Sequence, residues 1–284
     1  MAERLVDVVT QLHNVRQLEA VVTAMRGIAA SRAQQSRSLL AGIEAYTQVI
    51  SRAIGQALSL LPADVSPSAS RRQAKRGLIL FCAEQGFAGA FSERVLDAAA
   101  GDLRDATSFI IGTRGAAIAS ERCIKPAWSA TMAANVDALP TFANQLADAL
   151  YAYVARGAVV EVDVVFPRSV PGSGIQIDRH SLLPIDFQRF ARPIEQLAPL
   201  TTLAPQPLLE RLAAEYVYAQ LCEAAMLAFE AENEARMMAM TLAKTNIATK
   251  LNTLSLRERQ LRQEEITTEI VELAAGSEAL TKAS

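Results

Sequence analysis

A short glycine-containing loop comes closest to a chemical motif in this sequence. Gly86-Phe87-Ala88-Gly89 follows an apolar run of strand length, residues 77–83, and precedes a stretch of helical character, residues 91–100. A strand, a glycine turn and a helix N-terminus can bind phosphate, because free N–H groups and the helix dipole favour an anion. The loop lacks the Gly-x-x-x-x-Gly-Lys-[Ser/Thr] and Gly-x-Gly-x-x-Gly patterns. We therefore interpret it as a tight strand-to-helix turn, with a nucleotide-dependent enzyme as an alternative.

The other residues capable of catalysis or metal binding are scattered. Cys82, Cys123 and Cys222 are odd in number and widely spaced, which matches neither a disulfide framework nor a zinc motif. We expect all three to be buried as small apolar side chains. His13 and His180 have no His or Cys neighbour at metal-ligand spacing. These patterns predict no catalytic residue, no cofactor and no metal site.

Charged and apolar residues alternate in blocks near the C-terminal end. Arg257, Arg259 and Arg262 precede the acidic pair Glu264-Glu265. We interpret this stretch as a solvated helix face, or otherwise as a place where another protein presents acidic groups. The end that follows is unusually apolar for an exposed helix, at Ile266, Ile270, Val271, Leu273, Ala274 and Ala275. A bare end of this kind would aggregate, so a surrounding partner is expected.

Composition and charge exclude several classes of protein. Of the 284 residues, 51% are hydrophobic and 20% charged, which is typical of a folded chain rather than a disordered one. The formal net charge of -2 provides no overall attraction to nucleic acid or to an anionic membrane. No apolar run is long enough for a membrane span, and the start of the chain is unlike a signal peptide. We expect no nucleic acid partner and no direct membrane insertion.

The elements that must position these residues are marked out by proline. All 11 prolines fall between Pro62 and Pro207, and a proline inside a helix removes a hydrogen bond and clashes with the preceding turn. The flanks 1–61 and 208–284 are therefore predicted to be long helices, on the order of 90 Å and over 100 Å if unbroken. Such helices must pack on each other or on a partner, because a domain of this size cannot enclose them.

Both flanks repeat apolar or small residues at steps of three or four, the seam pattern of a coiled coil. In the first flank these are Leu18, Val22, Met25, Ala29, Ser36, Leu39, Ile43, Tyr46, Ile50, Ala53 and Ala57. In the second flank they are Leu208, Leu212, Val217, Leu221, Ala224, Ala228, Ala231, Ala235, Met238 and Leu242. The pattern predicts an antiparallel pair of helices.

The middle of the chain has a different pattern. Strands are predicted at 77–83, 108–112 and 158–166, with helices at 91–100 and 136–156, which indicates a small α/β sheet of parallel type. The predicted division is an N-terminal coiled-coil helix at 1–61, a linker at 62–75, a central α/β domain at 76–190, a proline-rich return at 191–207 and a C-terminal coiled-coil helix at 208–284. The fold class is α/β plus a long antiparallel coiled coil, with a Rossmann-like central domain.

Two segments at opposite ends of the chain resemble one family. Residues 234–240, Glu-Ala-Arg-Met-Met-Ala-Met, and residues 262–276 resemble the C-terminal motif of the F-type ATP synthase gamma subunit. Residues 23–32, Thr-Ala-Met-Arg-Gly-Ile-Ala-Ala-Ser-Arg, resemble its N-terminal motif. Both lie on the proline-free flanks, and the layout of the family agrees over nearly the whole chain.

The resemblance implies a central rotor stalk that transmits torque between the membrane c-ring and a hexamer of alpha and beta subunits. It would couple proton or sodium transport to ATP synthesis or hydrolysis, with catalytic residues only on the partners. Implied partners are the alpha, beta and epsilon subunits and the c-ring, at the cytoplasmic face of the bacterial inner membrane, where the chain would be a peripheral subunit. Implied partner contacts are Met25, Arg236, Gln263, Thr267 and Glu269, facing beta-subunit loops.

This sequence departs from the family pattern in two places. Residues 83–89, Ala-Glu-Gln-Gly-Phe-Ala-Gly, replace the usual Ser-Asp-Arg-Gly-Leu-Cys-Gly, and residues 256–259 replace a stretch containing Tyr and Asn. These changes suggest a divergent branch, such as the alternative sodium-type bacterial operons. The structural alternative is a free-standing helical-hairpin adaptor protein, which would be a soluble monomer or homodimer.

Overall fold

Two long helices and a central sheet make up the protein. The computed structural model describes residues 4–61, 75–191 and 200–282, with side chains described as far as residue 275. Helix α1 spans Leu5–Ser59 and helix α5 spans Pro205–Lys282. The prediction of two uninterrupted terminal helices is confirmed. The chain divides into two compact units, one of Met1–Ile28 with Met237–Ser284 and one of Ala29–Arg236.

In the unit of Met1–Ile28 and Met237–Ser284, the two helices pack side by side through a repeat of seven residues. Its members are Val8, Val15 and Val22 on α1, and Met240, Ile247, Leu254 and Leu261 on α5. Val8 clusters with Leu254 and Leu261, whereas Val22 clusters with Met240 and Ile247, so the helices run antiparallel. A strict repeat of seven is shorter than two full helical turns and imposes a left-handed supercoil.

Several residues predicted to lie in the seam are exposed instead. They are Leu18, Leu39 and Tyr46 on α1, and Met238 and Leu242 on α5, with 37–65% of their surface accessible. Steps of three or four residues can follow more than one stripe of a helix, and the seven-residue repeat is the stripe that faces the partner helix. Leu242, for instance, lies two positions beyond Met240, and two positions turn a side chain by about 200°.

In the unit Ala29–Arg236, α1 and α5 are also antiparallel. The hydroxyl of Ser36 donates a hydrogen bond to the carbonyl oxygen of Met226 at 3.0 Å, and Tyr46 donates to the carboxylate of Glu215. Small buried residues lie along α5 in this unit, at Ala219, Ala224, Ala225, Ala228 and Ala231. Ser36 is itself fully buried, and its bond to a main-chain oxygen satisfies the hydroxyl.

The central sheet has five strands in the order β3-β2-β1-β4-β5. The strands are β1 (Arg76–Phe81), β2 (Thr107–Ile111), β3 (Trp128–Ala130), β4 (Glu161–Val170) and β5 (Gly174–Leu183). The intervening helices are α2 (Phe91–Ala99), α3 (Thr113–Glu121) and α4 (Leu139–Ala155), with 3-10 turns at Val136–Ala138 and Phe187–Arg189. Strands β1 to β4 are parallel, as predicted, but β5 pairs antiparallel with β4, so the sheet is mixed.

The sheet is covered on both faces. Alternate residues of β1 and β2, namely Ile79, Phe81, Phe109 and Ile111, join one buried cluster with side chains of α4 and α5. The intervening residues Leu78, Leu80 and Ile110 join a second cluster with α2 and α3. Strands that are buried on both sides are continuous apolar runs, which is why β1 and β2 could be predicted.

The cysteines divide into two kinds. Cys82 and Cys222 are buried, as predicted, but Cys123 is exposed. The prediction was wrong for Cys123 because this residue forms the turn after α3 in the left-handed backbone region, with φ of 59°. Most of the linker at 62–75 and the first half of the return at 191–207 lie outside the described residues. Within the part that the structure describes, no helix is apolar over enough of its length to cross a bilayer.

Candidate functional site

Three of the five predicted contact residues lie together near the end of α5. Gln263, Thr267 and Glu269 are all exposed. The hydroxyl of Thr267 donates to the carbonyl oxygen of Gln263 at 2.8 Å, so it is satisfied within the helix. Within the described side chains of this helix end, Ile266, Ile270, Val271 and Leu273 are 51–75% exposed. Large apolar side chains exposed in this number are typical of a surface that another protein covers.

Met25 lies elsewhere, on α1. It is half-buried and packs against the cluster of Val22, Met240 and Ile247. Its flexible thioether fills space beside the seam and keeps part of its surface accessible. Met25 can therefore contact a partner only at the edge of the coiled coil.

Arg236 is almost fully enclosed by its own chain, with 5% of its surface exposed. Its guanidinium donates to the carboxylate of Glu232, to Asn233 Oδ1 at 3.0 Å and to the carbonyl oxygen of Gly86 at 3.2 Å. A buried charge is tolerated only when it is paired and hydrogen-bonded, and these bonds meet that requirement. Contact of Arg236 with a partner stays a prediction, and the structure gives this residue bonds inside the chain.

Arg236 belongs to a row of buried polar residues on α5 that sequence reasoning did not identify. Glu230, Glu232 and Asn233 are its other members, with 6%, 4% and 2% of their surface exposed. The nearest signal in the sequence is the spacing of Glu232 and Arg236, four residues apart, which places opposite charges on one helix face. Charged residues on a long helix are otherwise most often solvated, so this signal is weak by itself.

Arg37 joins this row from α1. Its Nε lies 2.5 Å from Glu230 Oε1, and its Nη2 lies 2.8 Å from Glu234 Oε2. Glu230 has a side chain that is only 9% exposed, whereas the side chain of Arg37 is 46% exposed. The pair therefore holds α1 to α5 at the edge of the buried row.

The glycine loop lies against the same row. The backbone N–H groups of Glu84 and Gln85 donate to the two carboxylate oxygens of Glu232, at 3.2 Å and 3.1 Å. Helix α2 begins after this loop without a side-chain cap. The amides that a phosphate would need are thus bonded to a carboxylate of the same chain, which disfavours the nucleotide hypothesis.

The thiol of Cys82 and the hydroxyl of Tyr46 have strongly raised pKa values. Burial, reinforced by the carboxylates of Glu232 and Glu93, raises the pKa of the Cys82 thiol to about 12. Burial and the bond to Glu215 raise the pKa of Tyr46 to about 12. Both stay protonated at neutral pH, and a thiol in that state is a poor nucleophile.

Known proteins match this chain over nearly its whole length. A family model described as ATP synthase matches residues 4–280. The ATP synthase gamma chain of Moorella thermoacetica is 25% identical over 281 residues, which cover 96% of this chain and 98% of that protein. The ATP synthase gamma chain of Acidothermus cellulolyticus is 27% identical over 285 residues, which cover 95% of each chain.

Solved structures agree at the level of the fold. A chain in the mitochondrial ATP synthase of Euglena gracilis, solved with its c-ring, superposes with a TM-score of 0.64 at 11% identity, covering 97% of this chain and 94% of that one. A chain in the central stalk and c-ring of the Tetrahymena thermophila mitochondrial enzyme gives a TM-score of 0.51 at 15% identity, covering 78% and 99%. The fold, with two long terminal helices and a small central sheet, is therefore shared with chains of these assemblies.

Proposed function

We propose that this chain, which belongs to the ATP synthase gamma chain family, is the central stalk of an F-type ATP synthase. It transmits torque between the membrane c-ring and the hexamer of alpha and beta subunits. Ion flow through the ring, of protons or of sodium, is thereby coupled to ATP synthesis or hydrolysis.

The observation that carries this proposal is the antiparallel helix pair with its buried seven-residue seam and its exposed apolar end. A paired coil resists twisting better than a single helix, and the matched range of residues 4–280 includes both helices. Rotation has an effect only if the stalk contacts the catalytic sites unequally, since equal contact shifts no equilibrium between their states. The different side chains around the coil supply that inequality.

The partners follow from this role. The coiled coil of residues 1–28 and 237–284 stands in the cavity of the alpha/beta hexamer, and the α/β domain contacts the epsilon subunit and the c-ring. The proposed contacts with beta-subunit loops are made by Met25, Arg236, Gln263, Thr267 and Glu269. The chain has no catalytic site of its own, needs no cofactor and is peripheral, at the cytoplasmic face of the bacterial inner membrane.

Purification of the tagged chain from its native membranes tests the proposal. Alpha and beta chains should co-purify with it, and the complex should pump ions when it hydrolyses ATP. A chain recovered only as a soluble monomer or homodimer would instead support the helical-hairpin adaptor.

A matched pair of variants tests the contacts. Thr267 and the neighbouring Thr268 are both exposed, and each hydroxyl donates to the carbonyl four residues earlier, at 2.8 Å and 2.9 Å. Thr267→Val and Thr268→Val therefore remove the same bond within the helix. We expect only Thr267→Val to lower the number of ions pumped per ATP hydrolysed. Equal effects would remove the support for Thr267 as a contact.

A further inference from the structure

The loop after β1 has the geometry of an anion-binding turn. Three successive backbone N–H groups at the carboxyl end of β1, those of Ala83, Glu84 and Gln85, donate hydrogen bonds to side-chain oxygens. The first donates to the hydroxyl of Ser92 at 3.1 Å, and the other two point to the carboxylate of Glu232. Consecutive amides of this kind attract an anion.

Glu232 supplies that anion from α5. Each of its two oxygens accepts one loop amide, and Oε1 also accepts from the guanidinium of Arg236. Arg236 in turn donates to the carbonyl of Gly86 in the same loop at 3.2 Å. The carboxylate and the guanidinium thus bind the loop in opposite senses, one through donors and the other through an acceptor. Charge-assisted bonds are among the strongest available to a buried site.

A second carboxylate extends the connection across the sheet. Glu84, whose amide bonds to Glu232, accepts bonds from the backbone N–H of Thr113 at 2.9 Å, from the Thr113 hydroxyl at 2.6 Å and from the N–H of Met132 at 2.8 Å. Thr113 begins α3, and Met132 follows β3 at the edge of the sheet. A continuous series of bonds therefore runs from α5 through the β1 loop to α3 and the end of β3.

We propose that Glu232 is a built-in anion that fills the phosphate position of the β1 loop and locks the α/β domain to the stalk helix. Glu232 is a positioning residue, since it acts through the loop. The consequence for coupling rests on the proposed function: torque that enters the domain reaches α5 through this carboxylate. The structural part of the proposal, occupation of the loop by Glu232, is independent of that function.

Chemical rescue tests the occupation directly. Glu232→Ala removes the terminal CH2–COO⁻ group, and acetate has that size and charge. In the full chain, Glu232→Ala should raise hydrogen exchange at the amides of Glu84 and Gln85 by roughly 10- to 100-fold. Sodium acetate should slow this exchange again, and sodium chloride at the same ionic strength should not. Exchange that does not rise, or that acetate does not slow, overturns the proposal.

Two further variants separate a specific effect from general loosening. Glu230→Ala removes a buried carboxylate that accepts a hydrogen bond from Arg37 rather than from the β1 loop, so exchange at Glu84 and Gln85 should change little. An equal rise in that variant would overturn the assignment. Glu232→Gln keeps the volume but sets an amide group against N–H donors. It should raise the exchange without any response to acetate, and it keeps the test available if the alanine variant does not fold.

The coupling consequence is measured in the assembled complex. Glu232→Ala should retain ATP hydrolysis but pump fewer ions per ATP, and acetate should restore the ratio. A normal ratio alongside the expected exchange result would overturn the coupling part. If the wild-type chain does not co-purify with alpha and beta subunits, the proposed function fails, while the exchange result still decides whether Glu232 fills the loop.

Discussion

The ion pairs of Arg37 test what holds α1 to α5 within the unit Ala29–Arg236. Arg37→Leu would leave the carboxylate of Glu230 almost buried without its cation, since that side chain is only 9% exposed. Glu234, with a side chain 22% exposed, can recover water more easily. The loss should therefore come mainly from Glu230.

The expected magnitude lies between two limits. Exposed ion pairs contribute about 0.2–1 kcal/mol, and breaking a buried pair costs about 3–5 kcal/mol. Because the side chain of Arg37 is 46% exposed and that of Glu230 is nearly buried, Arg37→Leu should lower the free energy of unfolding by about 2 kcal/mol, or about 30-fold in the folding equilibrium. In the double variant Arg37→Leu/Glu230→Gln, the unpaired carboxylate of Glu230 is absent. The double variant should therefore be about 1 kcal/mol more stable than the sum of the two single effects predicts.

The assay is urea denaturation of the full chain, followed by circular dichroism, for the wild type, both single variants and the double variant. Arg52→Leu is the control, because Arg52 is exposed on α1 and its Nε donates to the carbonyl oxygen of Gln48 in the same helix, at 3.4 Å. It should change stability by less than about 0.5 kcal/mol. An Arg37→Leu variant as stable as the Arg52 control, or a cycle that is additive, would refute the reasoning.

Three further outcomes are expected. Met25→Lys should lower ion pumping per ATP hydrolysed, because an ammonium group at the edge of the coil can bond to acidic groups of a partner; normal pumping in the assembled complex would argue against the contact. Ala231→Leu should lower the free energy of unfolding by about 1–3 kcal/mol, since Ala231 is fully buried against Ala83 and Phe91; an unchanged urea midpoint would contradict this packing. Burial raises the pKa of Glu223, so Glu223→Gln should be more stable than the wild type at pH 7. That advantage should shrink as the pH falls through the raised pKa toward the ordinary glutamate value of about 4.3, and a difference that is constant over this range would be inconsistent with it.

The long helices could be predicted because proline constrains a backbone locally. The start of α5 shows the limit of that rule. The prediction began this helix at Leu208, after the last proline, but it begins at Pro205. The first turn of a helix has no partner for its N–H groups, so proline is acceptable there. A rule that excludes proline from a helix interior therefore displaces the predicted start by the length of one turn.

Strands could be predicted where both of their faces are buried, because such strands are continuous apolar runs in the sequence. Strand β5 contains Gln176, Asp178, Arg179 and His180, and it lies at the edge of the sheet. An edge strand can expose polar side chains to solvent, so its sequence lacks a continuous apolar run. Strand β3 has only three residues, too few for any period to be visible. Helix α3 begins directly after β2 at the left-handed residue Gly112, with φ of 100°. Its nine residues carry too little apolar pattern to be separated from a loop.

The polar contacts escaped prediction for a different reason. Glu232 and Arg236 sit on a helix that is charged at many other places, and nothing local distinguishes a buried carboxylate from a solvated one. What distinguishes Glu232 is the pair of amides that the β1 loop presents, about 150 residues earlier in the chain. The sequence favours a tight turn over anion binding at the glycine loop, whereas the two amides just before that loop bind the carboxylate of Glu232. A loop that binds a free phosphate can release it, whereas a carboxylate that belongs to α5 cannot dissociate. A covalently attached anion therefore suits a connection between the α/β domain and α5 that has to transmit torque.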